Sequence, residues 1–104
     1  MNLKNFRTYN LAIDFCKLLS SLKVTGPLKN QLTRASTSIA LNLAEGNGRH
    51  TTRDKIKFYY IAQGSLRECE SILTILEVKD QAILQNLDNL GACLYKLIKY
   101  LHPV

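Results

Sequence analysis

Apolar residues recur every three or four positions through four stretches of this 104-residue chain, and a turn signal closes each stretch. That spacing leaves little choice of secondary structure. Positions i, i+3, i+4 and i+7 share one face of an α-helix, whereas a half-buried strand alternates with period two. No stretch here alternates cleanly, and β-branched residues are sparse. The pattern predicts a first helix from about Phe6 to Lys23, stopped by Thr25-Gly26-Pro27. Pro27 suits the first turn of a second helix, where a missing N–H loses no hydrogen bond. The second helix is expected to reach about Glu45 and to be capped by Gly46-Asn47-Gly48. A third opens at Thr51-Thr52-Arg53-Asp54, a threonine cap with an acid three residues on, and runs to about Val78. After Lys79, Asp80 caps a fourth that reaches about Leu101, before Pro103. Four helices of similar length with short connections predict one all-α domain over residues 1–104, an antiparallel up-down-up-down four-helix bundle.

Composition removes several other classes. An apolar share of 46% with 21% charged residues is that of a folded chain rather than a disordered one. No apolar run approaches the roughly 18 residues of a membrane span, and the stretch MNLKNFRTYN lacks the apolar segment of a signal peptide, so a cytoplasmic protein is expected. Cys16, Cys69 and Cys93 are odd in number and sit in apolar helical stretches, as reduced buried thiols do. With His50 and His102 the only imidazoles and no Cys/His ligand spacing, neither a metal nor another cofactor is expected.

Two helices carry more apolar surface than one core requires. In the first, Phe6, Tyr9, Ile13 and Cys16 form one stripe, and Leu11, Phe15, Leu18 and Leu22 form a second. In the third, Ile56, Tyr59, Leu66 and Leu73 lie on one side, and Phe58, Ile61, Ala62, Cys69, Ile72 and Leu76 on another. The fourth has a single stripe, with Ile83, Leu87, Leu90, Leu94, Leu97 and Leu101 opposite Gln85, Asn89, Lys96 and Lys99. Uncovered apolar faces on the first and third helices predict self-association, closed symmetry being the usual outcome.

Polar residues interrupt this scheme. Arg34, Ser38, Asn42, Glu45 and Arg49 follow one line along the second helix, and Gln63 and Glu70 fall within an apolar stripe of the third. A carboxylate in such a stripe needs a partner, and Arg34 is the candidate for Glu70. Arg34, Ser38, Asn42, Glu45, Gln63 and Glu70 are therefore read as a structural polar network. A catalytic cluster would need a nucleophile or a base tuned near neutrality, and this set has neither a histidine nor an activated cysteine. No enzymatic role is expected.

The net charge of +6 calls for an anionic partner, or is incidental. An up-down topology would gather Lys4, Arg7, Arg49, His50, Arg53, Lys55, Lys57, Lys96 and Lys99 at one end with His102, and Glu68, Glu70, Glu77, Asp80 and Asp88 at the other. The start of the third helix would add free amides and a positive dipole to the basic end. Such a surface reads phosphates rather than bases, and no sequence-specific nucleic-acid motif is present. Two functions stay open: an oligomeric protein that binds RNA or DNA there, and a protein-interaction scaffold.

Arg34-Ala35, Ser38-Ile39, Asn42-Leu43-Ala44-Glu45-Gly46, Gly48-Arg49 and Ala62-Gln63-Gly64-Ser65-Leu66-Arg67-Glu68-Cys69-Glu70 form two blocks. Together with Phe6, Tyr9 and Ala12, they resemble the bacterial four-helix-bundle family encoded in intervening sequences of large-subunit ribosomal RNA genes. Leu43 stands for a usual isoleucine, Lys55 for a frequent aromatic, and the first loop is short. The resemblance implies an antiparallel bundle assembled as a ring, typically a pentamer. It also implies kinship with the accessory variability determinants of diversity-generating retroelements, which bind nucleic acid and a reverse transcriptase. It implies no catalytic activity.

Overall fold

Three of the four α-helices begin where a side chain or a proline settles the first turn. The computed structural model describes residues 3–102. A short 3₁₀ turn, Leu3–Asn5, precedes α1 (Arg7–Ser20), α2 (Pro27–Asn47), α3 (Thr52–Ile75) and α4 (Gln81–Leu101), and no strand occurs among the described residues. Thr51 Oγ1 accepts the Asp54 N–H at 3.1 Å, and Asp80 Oδ1 accepts the Ile83 N–H at 3.0 Å, each satisfying an orphan donor. Pro27 opens α2 behind Gly26, whose φ of 97° a side chain would strain.

The helix ends differ from expectation for local reasons. α1 stops at Ser20, short of Lys23. The hydroxyls of Ser20 and Ser21 donate to the carbonyls of Lys17 and Leu18, competing with helical bonding. The Lys29 ammonium reaches over from α2 to the carbonyls of Leu19 and Leu22, at 2.9 and 3.0 Å, and caps what α1 leaves open. α2 runs through Gly46 to Asn47, and Gly48 ends it with ordinary right-handed φ of −84°. Gly46 is thus no cap. It is buried, and a Cβ there would lie 2.6 Å from Cε1 of Tyr59. α3 closes with Glu77 at φ 55° and the Val78 N–H bonded to the Leu73 carbonyl, a Schellman stop.

α1 packs on α2 and α4, and α3 packs on the same two, so the four helices close around one hydrophobic core. Phe15, Leu32, Ile39, Leu43, Leu90 and Leu94 lie at its centre, fully removed from solvent. The two stripes predicted for α1 and α3 are largely absorbed within the chain. On α1, Phe15 is buried, while Tyr9, Leu11, Ile13 and Leu18, with Phe6 and Leu22 flanking the helix, are half-buried against the core. A helix held between two neighbours is covered over an arc wider than one stripe. The large apolar side chains left exposed are Leu41 on α2, Tyr60, Ile61 and Ile75 on α3, and Tyr95 and Tyr100 on α4, so of the predicted stripe members Ile61 alone is among them.

The three thiols are free. Cys93 shares a 3.0 Å hydrogen bond with the buried Thr8 hydroxyl. Burial pushes the Cys69 thiol up from its ordinary 9.0 to about 12, helped by the negative charge of Glu68. The unfolded chain therefore loses this proton first as pH rises, and the stability tied to it is lost between pH 9.0 and about 12. Urea unfolding at pH 8 and at pH 10.5 should show a smaller alkaline loss for Cys69→Ala than for the wild type. Equal losses in both would mean that Cys69 takes no part in the alkaline transition.

Candidate nucleic-acid interface

Three segments rich in basic residues meet at one end of the molecule. The Phe6 ring, just before α1, lies 6.2 Å from that of Tyr59 on α3. The Tyr60 hydroxyl and His102 Nε2, at the end of α4, share a hydrogen bond of 2.5 Å. Thr52, Arg53 and Ile56 face Leu101 and His102 across a shallow groove. Lys4, Arg7, His50, Arg53, Lys57, Lys96 and Lys99 are all exposed.

Two of the predicted cations are already engaged. Lys55 is half-buried, and its ammonium donates to the carbonyls of Gly46 and Asn47 at 3.3 and 2.9 Å. It caps the end of α2, where the helix dipole is negative, instead of facing a phosphate. The short turn between α2 and α3 brings Lys55 back over the helix that precedes it. Arg49 pairs with Glu45 at 2.7 Å and lies over the Phe58 ring, 4.6 Å from its centroid. The pocket at this turn is lined by Arg49 and His50 but also by Glu45 and Asp54, so two carboxylates stand there against one guanidinium. Arg53, Arg67 and Lys99 lie to the side, in grooves whose lining holds no carboxylate.

The polar network is smaller than predicted and has a different partner. Ser38 and Ser65 share a hydrogen bond of 2.9 Å across the α2–α3 seam. The Asn42 amide donates to the Ser38 carbonyl and hydroxyl at 2.9 and 3.1 Å. Glu45 belongs to the Arg49 pair instead. Arg34 and Glu70 are exposed and form no ion pair with each other. The buried arc of α3 is centred near Ala62 and Cys69, not on Leu66. Glu70 consequently emerges on the α4 side, where it lines a groove with Glu77 and Asp88. Gln63 is half-buried and also faces α4, alongside Tyr60, Arg67 and Tyr95.

Burial raises the Cys16 thiol as it does Cys69, away from the lowered values of reactive cysteines. No group of three or more His, Cys, Asp or Glu side chains among the described residues is placed to hold a metal. No helix among the described residues is long and apolar enough to cross a membrane.

Residues 4–102 match the model of the 23S rRNA-intervening sequence protein family. The chain belongs to that family. The match takes in all four helices, including the α2–α3 turn and the end of α4. No curated protein is significantly similar to the chain. Within this intervening-sequence protein, sequence reasoning passed over Lys29, Ser65 and the exposed Tyr60, Arg67 and Tyr95. The tyrosines left a signal, being aromatic residues off every core stripe.

Proposed function

We propose that this family member is a non-enzymatic, homo-oligomeric accessory protein of the cytoplasm that binds RNA or DNA, with low sequence specificity, through its basic end. The observation that carries this reading is that exposed Arg53 and Lys99 line the grooves that His102 borders, with Arg7, Lys57 and Lys96 exposed as well. Point charges on flexible stems favour phosphate over base edges, which accounts for the low specificity.

The helices run up-down-up-down in this reading. Support comes from Ser38 meeting Ser65, Tyr60 meeting His102, and Asp14 to Ser21 flanking Ala82 to Asn89. With α2 and α3 opposed, Leu41 (63% exposed) and Ile61 (44%) fall about one turn from the Ser38–Ser65 bond, on the same side of it. They supply an apolar patch for self-association. A pentameric ring is the form suggested by the resemblance to the intervening-sequence family, and the kinship it implies with retroelement accessory proteins suggests a reverse transcriptase or other protein as further partner. A ring would repeat the basic end about its axis and strengthen its field.

The test is the salt dependence of binding to a single-stranded RNA. Affinity should fall steeply with salt, and Arg53→Ala and Lys57→Ala should each lower the log–log slope by about 0.7. Binding that ignores salt, or no binding, would contradict the reading. A protein recovered from nuclease-treated pull-downs in place of RNA would favour the scaffold.

A further inference from the structure

The groove between α3 and α4 is divided by charge along its length. Its half toward the chain terminus is lined by Arg67, Lys99 and His102 with no carboxylate. The other half is lined by Glu70, Glu77 and Asp88, with Lys79 alone against them. Two tyrosines stand in the basic half, Tyr95 58% exposed and Tyr60 47% exposed. Neither ring is needed by the core, and each leaves aromatic surface in water. His102 meets the Tyr60 ring edge-on, with centroids 5.7 Å apart, and their hydrogen bond fixes the phenol at the groove wall. The side-chain amide of Gln63, half-buried in the same groove, makes no hydrogen bond to the described residues. Through His102 the groove continues into the one lined by Arg53 and Ile56.

Exposed aromatic faces among cations, with anions excluded, suit a ligand that is anionic and aromatic along its length. An acidic protein segment would use the charges and leave the rings idle. A duplex would present phosphates but keep its bases stacked on each other. A single strand uses both, since every base has a π-face that stacks on tyrosine whatever its identity.

We propose that the basic half of the α3–α4 groove is a binding site for single-stranded nucleic acid. A base stacks on Tyr95, Arg67 and Lys99 hold the flanking phosphates, and the Gln63 amide faces a base edge. The acidic half stops the strand from continuing along the groove and directs it toward Arg53 and the basic end. This inference rests on the proposed nucleic-acid function and gives that function a location.

The chain has five tyrosines and no tryptophan, so tyrosine emission reports directly on stacking. The full chain is titrated at low salt with a ten-nucleotide oligo(U), with an abasic oligonucleotide of equal length, and with poly-glutamate. Oligo(U) should quench the emission and bind more tightly than the abasic strand. Tyr95→Ala should weaken oligo(U) binding about tenfold, leave abasic binding unchanged and keep the melting temperature, because this ring is mostly exposed. Tyr60→Leu provides a second variant with the same expected direction. Wild-type binding to oligo(U) that is unaltered in both variants would overturn the groove site and leave the basic-end reading standing. Poly-glutamate bound as tightly as oligo(U) would overturn it in favour of an acidic protein partner. A chain that binds none of these strands overturns both proposals.

Discussion

Phe15→Ala is expected to destabilise the chain by about 3–5 kcal/mol, the usual range for emptying a large buried aromatic site. Phe15 is fully buried at the centre of the core, on the shortest of the four α-helices. Its ring fills the space where α1 meets α2 and α4, and helices with capped, hydrogen-bonded ends cannot collapse fully into the void. A domain of this size has roughly 5–15 kcal/mol of stability in total, so the variant is expected to sit near its unfolding threshold. At roughly 4 °C per kcal/mol, the melting temperature should drop by 10 °C or more. Phe15→Leu, which keeps most of the volume, should lose less than half as much. Thermal unfolding by circular dichroism checks both, and a Phe15→Ala chain that melts within 3 °C of wild type would show that α1 is not held by this residue.

Gly46→Val should cost about 3 kcal/mol, for the opposite reason. Glycine inside a helix normally gains stability on replacement, by about 1 kcal/mol for alanine. At position 46 a Cβ meets Cε1 of Tyr59 at 2.6 Å, Cδ1 at 3.0 Å and the Phe58 Cβ at 3.2 Å. The Tyr59 ring is buried and tilted against Phe6, so it has no solvent-filled space to move into. Overpacking of this kind costs about 1–3 kcal/mol, and valine adds two methyls to that Cβ and a stiffer rotamer. The consequence reaches the basic end, because the Gly46 carbonyl is one of the two that hold Lys55. A double-mutant cycle isolates the contact: Tyr59→Leu should recover much of the loss from Gly46→Ala. If the two changes add without coupling, the close approach is not what keeps glycine at this position.

Helix number, order and most ends were legible in the sequence because caps act within four residues of the backbone they satisfy. Thr51 and Asp80 cap as their spacing predicts. Gly46 was misread because a glycine that ends a helix and one that lets a ring approach look alike without the partner. The difference lies in Tyr59, thirteen positions away and on the next helix. The same limit explains the polar network. The line Ser38–Asn42 was visible from its spacing, but which residue of α3 faces it depends on how far α3 is rotated. That rotation sets Ser65, half-buried, in the seam and leaves Glu70 outside it. Charge counting pointed to a basic end but could not tell that Lys55 and Arg49 are occupied by a helix terminus and a carboxylate. It also could not show that Arg67 and Lys99 share an α3–α4 groove whose lining holds no carboxylate.

The central claim, an oligomer that binds nucleic acid through its basic end, is tested most directly by its mass in solution. Multi-angle light scattering would be run on the chain alone, then with a short RNA at low salt and at high salt. The account predicts a mass several times the 11.8 kDa of one chain, rising with RNA at low salt and returning to the protein value at high salt. A monomer that stays 11.8 kDa with RNA at either salt would contradict it.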